Sequence, residues 1–134
     1  MPSEASAPQA GSDIDWSTIH AAVIGLGPVG LTAVDALHFL GANVLGLDEQ
    51  AIEAQHKERV EILTYLGVEF RCAEDFPAEL PAEIKLVVVA DSGLQDAALI
   101  EQAVASGVPV WGEYELAWRA ASSMQSKAPW LVVA

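Results

Sequence analysis

The sequence predicts an α/β fold, a Rossmann-like, mostly parallel five-stranded sheet with helices on both faces. Short apolar runs alternate along the chain with segments of helical periodicity, which is the pattern of repeated β-α-β units. The run over residues 85–90 is apolar without alternation, as expected for a central parallel strand that is covered on both faces. Three glycines at G-x-G-x-x-G spacing, Gly25, Gly27 and Gly30, follow the first apolar run.

The individual elements follow from these patterns in chain order. Strands are expected over residues 20–26, 42–48, 68–72, 85–90 and 108–111. Helices are expected from Pro28 to Gly41 and over residues 51–67, 97–106 and 113–121, with Asp96 and Gly107 bounding the third. The connections favour the strand order 3-2-1-4-5. Ligands in such sheets bind at the carboxyl ends of the strands, where the order reverses between strands 1 and 4.

Side-chain spacing predicts which helix faces are buried. The apolar stripe of the second helix consists of Ile52, His56, Val60, Leu63 and Leu66. One face of the fourth helix carries Tyr114, Ala117, Trp118 and Ala121. Three tryptophans are expected in core or edge packing: Trp111, Trp118 and Trp130.

The composition describes one acidic domain. The chain has 134 residues, a formal net charge of −13 from 19 acidic and 6 basic residues, and Cys72 as its only cysteine. Such a charge disfavours nucleic-acid and membrane partners, and a chain with one cysteine has no internal disulfide. Residues 1–15 lack the basic and apolar regions of a signal peptide. A disordered N-terminal tail and a cytoplasmic location are therefore expected.

The glycine loop and the acid after strand 2 predict a nucleotide site. Gly25 permits a tight turn, Gly27 the close approach of a ligand, and Gly30 the close packing of helix on strand, while the helix dipole attracts phosphate. Asp48 lies 18 residues after Gly30, near the position of the ribose-binding acid in NAD-binding folds. These residues leave three interpretations open: an NAD site, a site for another nucleotide, and a tight turn without a ligand.

The sequence supports no other chemistry. Glu49 and Gln50 follow Asp48 and supply no cation for a phosphate, and Pro28 removes one N–H donor from the loop. No nucleophile, zinc-protease or Walker motif is present, so no catalytic residue is expected, and Cys72 is interpreted as an idle thiol. The histidines lie far apart in the sequence and predict no metal site: His20, His38 and His56.

The stretch "GVPVWGEYELAWRAASSMQSKAPWLVVA", residues 107–134, resembles the end of the N-terminal domain of the Mur ligase family. The likeness is greatest to the D-glutamate-adding members from actinobacteria and covers residues 16–134. It combines three features in order: the loop Gly25–Gly30, the acid Asp48, and a loop at Gly93 followed by "GEYELAW". Together these features are specific to the family, although none of them is so alone.

The resemblance implies a site for the UDP part of UDP-N-acetylmuramoyl-L-alanine rather than for NAD. The matching positions come from the ends of three strands: Leu26, Gly27, Pro28, Val29 and Gly30; Asp48, Glu49 and Gln50; Asp91, Ser92 and Gly93. Three of them depart from the family pattern. Val29 stands where Thr or Ser is common, Gln50 where some members carry a basic residue, and Asp91 where many have Ser.

The resemblance also implies a division of the chain. Residues 16–128 are expected to form the UDP-binding domain, and residues 129–134 the first strand of a central ATPase domain. That domain and a C-terminal glutamate-binding domain would be the partners in the same chain, and ATP and Mg²⁺ would bind there and not here. The fragment would then be inactive by itself. An NAD-binding domain of a dehydrogenase or cofactor sensor remains the alternative.

Overall fold

The computed structural model describes residues 15–90 and 97–127, which contain a five-stranded parallel sheet. The strands are β1 (His20–Ile24), β2 (Asn43–Asp48), β3 (Glu69–Cys72), β4 (Leu86–Val89) and β5 (Val110–Gly112). Each neighbouring pair is parallel, and the order is β3-β2-β1-β4-β5. The predicted fold class and strand order are confirmed.

Helices cover both faces of this sheet. They are α1 (Pro28–Leu40), α2 (Lys57–Tyr65), α3 (Ala97–Ala105) and α4 (Glu113–Lys127). Because successive strand residues point to opposite faces, Ala21 and Val23 join the buried cluster that contains α1 and α4, whereas Ala22 and Ile24 join the cluster that contains α3. All four of these β1 side chains are fully buried, which explains why the central strands are apolar without alternation.

Helix α1 begins and ends where the sequence predicts. Gly27 is its N-cap, and Pro28 occupies the first helical position, where a missing N–H has no intrahelical acceptor to lose. Gly41 ends the helix with a φ of 103°, and its N–H donates to the carbonyls of Leu37 and His38. A left-handed backbone of this kind favours glycine, so this residue fixes the end of the helix.

The second helix is shorter than predicted. Residues 51–53 are not helical, a 3-10 turn covers Ala54–His56, and α2 itself begins at Lys57. The predicted buried stripe is correct for Leu63, which is 3% exposed, but wrong for Leu66, which is 52% exposed. Leu66 follows the last helical residue, and the chain turns away there into Gly67, which has a φ of 110°.

Helix α4 extends beyond its predicted end at residue 121 and reaches Lys127. Its buried residues are Leu116 and Ala120, so the predicted packing face is wrong: Tyr114 is 83% exposed and Trp118 is 56% exposed. Trp111 is buried as predicted, with its ring edge-on to Trp16 at a centroid distance of 6.4 Å.

Several predictions lie outside the described residues: the tail over residues 1–14, the cap at Asp96, and the strand over residues 129–134 with Trp130. The remaining strand limits agree with the prediction to within two residues. Of the helices in the described ranges, none is long and apolar enough to cross a membrane.

Candidate functional site

The carboxyl ends of the central strands lie side by side at one edge of the sheet. The N–H of Gly25 donates to the carbonyl of Leu47 at 2.9 Å, which joins the end of β1 to the end of β2. On the other side, the N–H of Ala90 donates to the carbonyl of Ile24, also at 2.9 Å. This edge therefore includes the point between β1 and β4 where the strand order reverses. Ligands bind at such a point in sheets of this class.

The glycine loop makes a sharp turn from β1 into α1. Gly25 has a φ of 98°, which a residue with a side chain rarely adopts, so the predicted role of Gly25 in the turn is confirmed. Gly27 caps α1 without a side chain, and its carbonyl accepts from the N–H of Leu31 at 2.9 Å. Gly30 is buried in the first turn. This arrangement leaves the positive end of the α1 dipole at the strand edge.

Asp48 connects the end of β2 to this loop. Its Oδ2 accepts a hydrogen bond from the backbone N–H of Leu26 at 2.8 Å, and its Oδ1 accepts one from the N–H of Gln50 at 2.9 Å. The acid that the sequence marks as a ligand-binding residue therefore also holds the loop in place. The bond to Gln50 is the Asx turn that an aspartate after a strand often makes, but the sequence gives no signal for the bond to Leu26.

The structure adds Gly46 and Phe70 to the surroundings of the loop, and the sequence analysis missed both. Gly46 in β2 lies beneath the ring of Phe70 from β3 and the side chain of Leu26. A Cβ atom at Gly46 would lie 2.6 Å from Cδ1 of Phe70 and 3.2 Å from Cδ2 of Leu26. The absence of a side chain at Gly46 thus gives Leu26, the residue between the first two loop glycines, its buried position. A glycine inside a strand is a recognised sign of such close approach.

The loop and the end of β2 carry no cationic side chain of their own. The sequence has no Lys or Arg between Ala21 and His56, a range that includes the loop, α1 and the end of β2. Each arginine of the described region contacts a carboxylate: Arg59 with Asp35, Arg71 with Glu69 at 2.9 Å, and Arg119 with Glu115 at 2.5 Å. A bound diphosphate would therefore depend on backbone N–H groups, the helix dipole and groups from elsewhere in the chain.

The structure brings together two of the three predicted groups of site residues. Leu26–Gly30 and Asp48–Gln50 face each other across the β1–β2 edge, with Leu26 buried and Pro28, Val29, Glu49 and Gln50 exposed. Asp91, Ser92 and Gly93 lie outside the described residues. They follow Ala90 directly, and Ala90 is bonded to the strand that leads into the glycine loop.

The titratable side chains of the described ranges do not assemble a metal site. No group of three His, Cys, Asp or Glu residues there is placed to hold an ion.

Cys72 lies opposite Asp48 in the β2–β3 register. Burial raises the pKa of the Cys72 thiol to about 11, and the negative charge of Asp48 adds to the rise. The thiol therefore stays protonated at neutral pH, which agrees with its interpretation as an idle group.

The chain is similar in sequence to ligases of known name. No protein-family model matches it. The UDP-N-acetylmuramoylalanine–D-glutamate ligase of Streptomyces avermitilis is 35% identical over 119 residues, and that of Streptomyces coelicolor is 38% identical over 120 residues. The ligase of the same name from Leifsonia xyli is 36% identical over 130 residues. Each match covers 89% of the chain.

By its sequence, the chain belongs to this ligase family. It corresponds to the N-terminal region of the ligases and spans about a quarter of their length, 24% and 25% for the two Streptomyces proteins. The resemblance seen in the sequence is thereby confirmed. The name of these relatives gives UDP-N-acetylmuramoylalanine and D-glutamate as the compounds that they join.

Proposed function

We propose that this chain is the UDP-binding N-terminal domain of a D-glutamate-adding ligase. The observation that carries the proposal is the glycine loop at the head of α1, tied to Asp48 through the N–H of Leu26 at 2.8 Å. It lies at the strand edge where this class of fold binds nucleotides. The relatives are named for a substrate that contains UDP.

Each predicted residue then has a distinct contribution. Leu26 is 3% exposed, so it would act through its backbone and not through a side-chain contact with the ligand. Gly27 has no side chain to keep a diphosphate from the end of α1. The exposed side chain of Pro28 would offer an apolar surface to the uracil or ribose, and Val29 would contribute through its backbone at the head of α1. Asp48, Glu49, Gln50 and residues 91–93 would complete the rim of the site.

The full ligase would form an amide bond in a reaction that consumes ATP. Phosphorylation of the carboxylate of UDP-N-acetylmuramoyl-L-alanine would give an acyl phosphate, which the amine of D-glutamate attacks. ATP and Mg²⁺ would bind in the central domain, and glutamate in the C-terminal domain, of a cytoplasmic enzyme. This chain would bind and orient the UDP end of the substrate and would be inactive alone.

An NAD-binding domain remains the second candidate, because Asp48 ends β2 where such folds bind ribose. Both oxygens of its carboxylate already accept a backbone N–H. A ribose would have to share that carboxylate with the loop. Nothing in the described residues supplies the hydride-transfer site that a dehydrogenase needs beside its NAD site.

The test is a titration of the 134-residue chain with UDP-N-acetylmuramoyl-L-alanine, UDP and NAD, followed by calorimetry and by amide chemical shifts. We expect saturable binding of the two uridine ligands, with shifts at Gly25, Gly27, Gly30 and Asp48. Binding of NAD alone would contradict the proposal, and so would the absence of binding by all three ligands.

Matched variants locate the site. Gly27→Val places a side chain at the head of α1, and we expect it to abolish uridine binding while the chain remains folded. Tyr65→Ala is the control, because Tyr65 lies at the end of α2 and its side chain is 90% exposed. Equal affinity in both variants would place the ligand elsewhere.

A further inference from the structure

An apolar groove runs between α1 and α4 on the outer surface of the molecule. Its volume is about 260 Å³. Small side chains form most of its walls, so the two helices leave a shallow cleft instead of closing over it. We call this surface, together with Trp118 one turn further along α4, the α1–α4 face. The groove is lined by residues that include Val29, Thr32, Ala36, Tyr114, Ala117 and Ala120.

Large aromatic side chains lie exposed along this face. Tyr114 is 83% exposed and Trp118 is 56% exposed, and both lie on the same stripe of α4. An aromatic side chain carries about 150–250 Å² of surface, so the two rings alone leave roughly 300 Å² in contact with water. That is already the size of the largest apolar patch on a typical monomer, which commonly marks an interaction surface.

Side chains other than Tyr114 and Trp118 form the buried side of α4. Leu116 and Ala120 form the buried side of the helix. Arg119 stacks over the buried ring of Trp111 at 4.9 Å and bonds to Glu115, which fixes the helix from its other side. Trp118 keeps one internal contact, with the guanidinium of Arg119 at 5.9 Å from its ring centroid, and more than half of its surface remains exposed to a partner.

We infer that the α1–α4 face is the docking surface for the polypeptide that follows this region in the full-length ligase. The inference rests on the proposed function only in taking the chain to be part of such a ligase. Relatives are about four times as long as the matched region, which is N-terminal in them. Helix α4 is the last described element, so whatever follows it is tethered beside its exposed stripe at a high effective concentration.

Charge favours this occupant over a second copy of the chain. Two copies would each bring a net charge of −13 to the contact. A symmetric pair would also place the carboxylate of Glu113, which lines the groove, against the same groove of its partner. A different domain in the same polypeptide avoids both costs. The docking partner should present an apolar surface with a basic side chain opposite Glu113.

The test compares the 134-residue chain with a longer chain, in which it is fused to the remaining three quarters of the Streptomyces coelicolor ligase. Hydroxyl-radical footprinting reports the solvent exposure of individual aromatic side chains. We expect oxidation of Tyr114 and Trp118 to fall about fivefold in the longer chain, as for rings that enter the core of an interface. Tyr65, which is 90% exposed on α2, is the matched control and should be oxidised equally in both chains.

Two results would overturn the inference. One is equal oxidation of Tyr114 and Trp118 in the two chains. The other is protection of these rings in the 134-residue chain that disappears on dilution, because a second copy would then cover the face. If the fused chain does not fold, hydrogen exchange is measured instead in the Streptomyces avermitilis ligase and in its own N-terminal quarter. The rates are compared in the segment that aligns with α4. No nucleotide is present in these measurements, so they are independent of whether UDP binds.

Discussion

Substitution of Gly46 by alanine tests whether the close packing of Phe70 and Leu26 over this glycine positions the glycine loop. The added methyl would lie 2.6 Å from Cδ1 and 2.8 Å from Cε1 of Phe70, and 3.2 Å from Cδ2 of Leu26. Real Cβ contacts are not shorter than about 3.0 Å, so the ring of Phe70 has to move. Phe70 is half-buried and can tilt toward solvent, whereas Leu26 is held by its bond to Asp48.

The magnitude follows from two opposed effects. Overpacking of a core by one carbon costs about 1–3 kcal/mol. Replacing a strand glycine returns roughly 0.5–1 kcal/mol, because alanine loses less conformational freedom on folding. We therefore expect Gly46→Ala to lower the free energy of unfolding by about 1–2 kcal/mol. Gly112→Ala in β5 should change it by no more than about 0.5 kcal/mol, because nothing lies within 4 Å of its new methyl group.

Urea unfolding monitored by tryptophan fluorescence measures both variants, with equal m-values as the check for two-state behaviour. A double-mutant cycle with Phe70→Ala then isolates the contact. Once the ring is absent, Gly46→Ala should cost nothing or stabilise slightly, which gives a coupling of about 1–2 kcal/mol. A cost for Gly46→Ala that is the same with Phe70 present or absent would refute the reasoning.

Further outcomes are expected at three residues. Asp48→Ala should speed amide exchange of Leu26 and lower the free energy of unfolding by about 1.5–3 kcal/mol, because it removes a hydrogen bond to a charged acceptor. Asp48→Asn should recover part of this loss. Unchanged exchange of Leu26 would contradict the role of the bond. Cys72 should react with iodoacetamide at pH 8 about 100-fold more slowly than in urea. Because its folded pKa is raised from 9.0 to about 11, ionisation favours the unfolded state as pH rises from 9 to 11, and Cys72→Ser should reduce that loss of stability in urea titrations. Arg59→Met should cost at most about 1 kcal/mol in thermal unfolding, since its ion pair with Asp35 is half-exposed; a larger loss would mean that the pair has a structural role.

The fold could be predicted because its signals are local. The apolar run over residues 85–90 and the turn at Gly25 each identify an element without reference to the rest of the chain. Their order along the chain then restricts the topology to a few arrangements. The start of α2 could not be placed in this way, because Ala54–His56 forms a 3-10 turn that the apolar spacing does not distinguish from an α-helix.

Burial and long-range contacts were harder to predict. Helix α4 has two apolar stripes, and the one with Leu116 and Ala120 packs inward, into the buried cluster that contains α1. Periodicity detects both stripes but does not say which one faces the sheet. The bond from Leu26 to Asp48 joins residues 22 positions apart, so only the assembled strands bring its two atoms together.

The central position of β1 has a consequence for synthesis of the protein. Strand β1 is made first, and it pairs with β2 soon afterwards, but its other neighbour, β4, emerges only about 65 residues later. At synthesis rates of about 5–20 residues per second, one edge of β1 waits roughly 3–13 s for its partner. During that interval the unpaired backbone of β1 is open to contacts with other nascent chains. The pairing of β4 with β1 therefore completes the strand edge that carries the candidate site and also removes this exposed backbone.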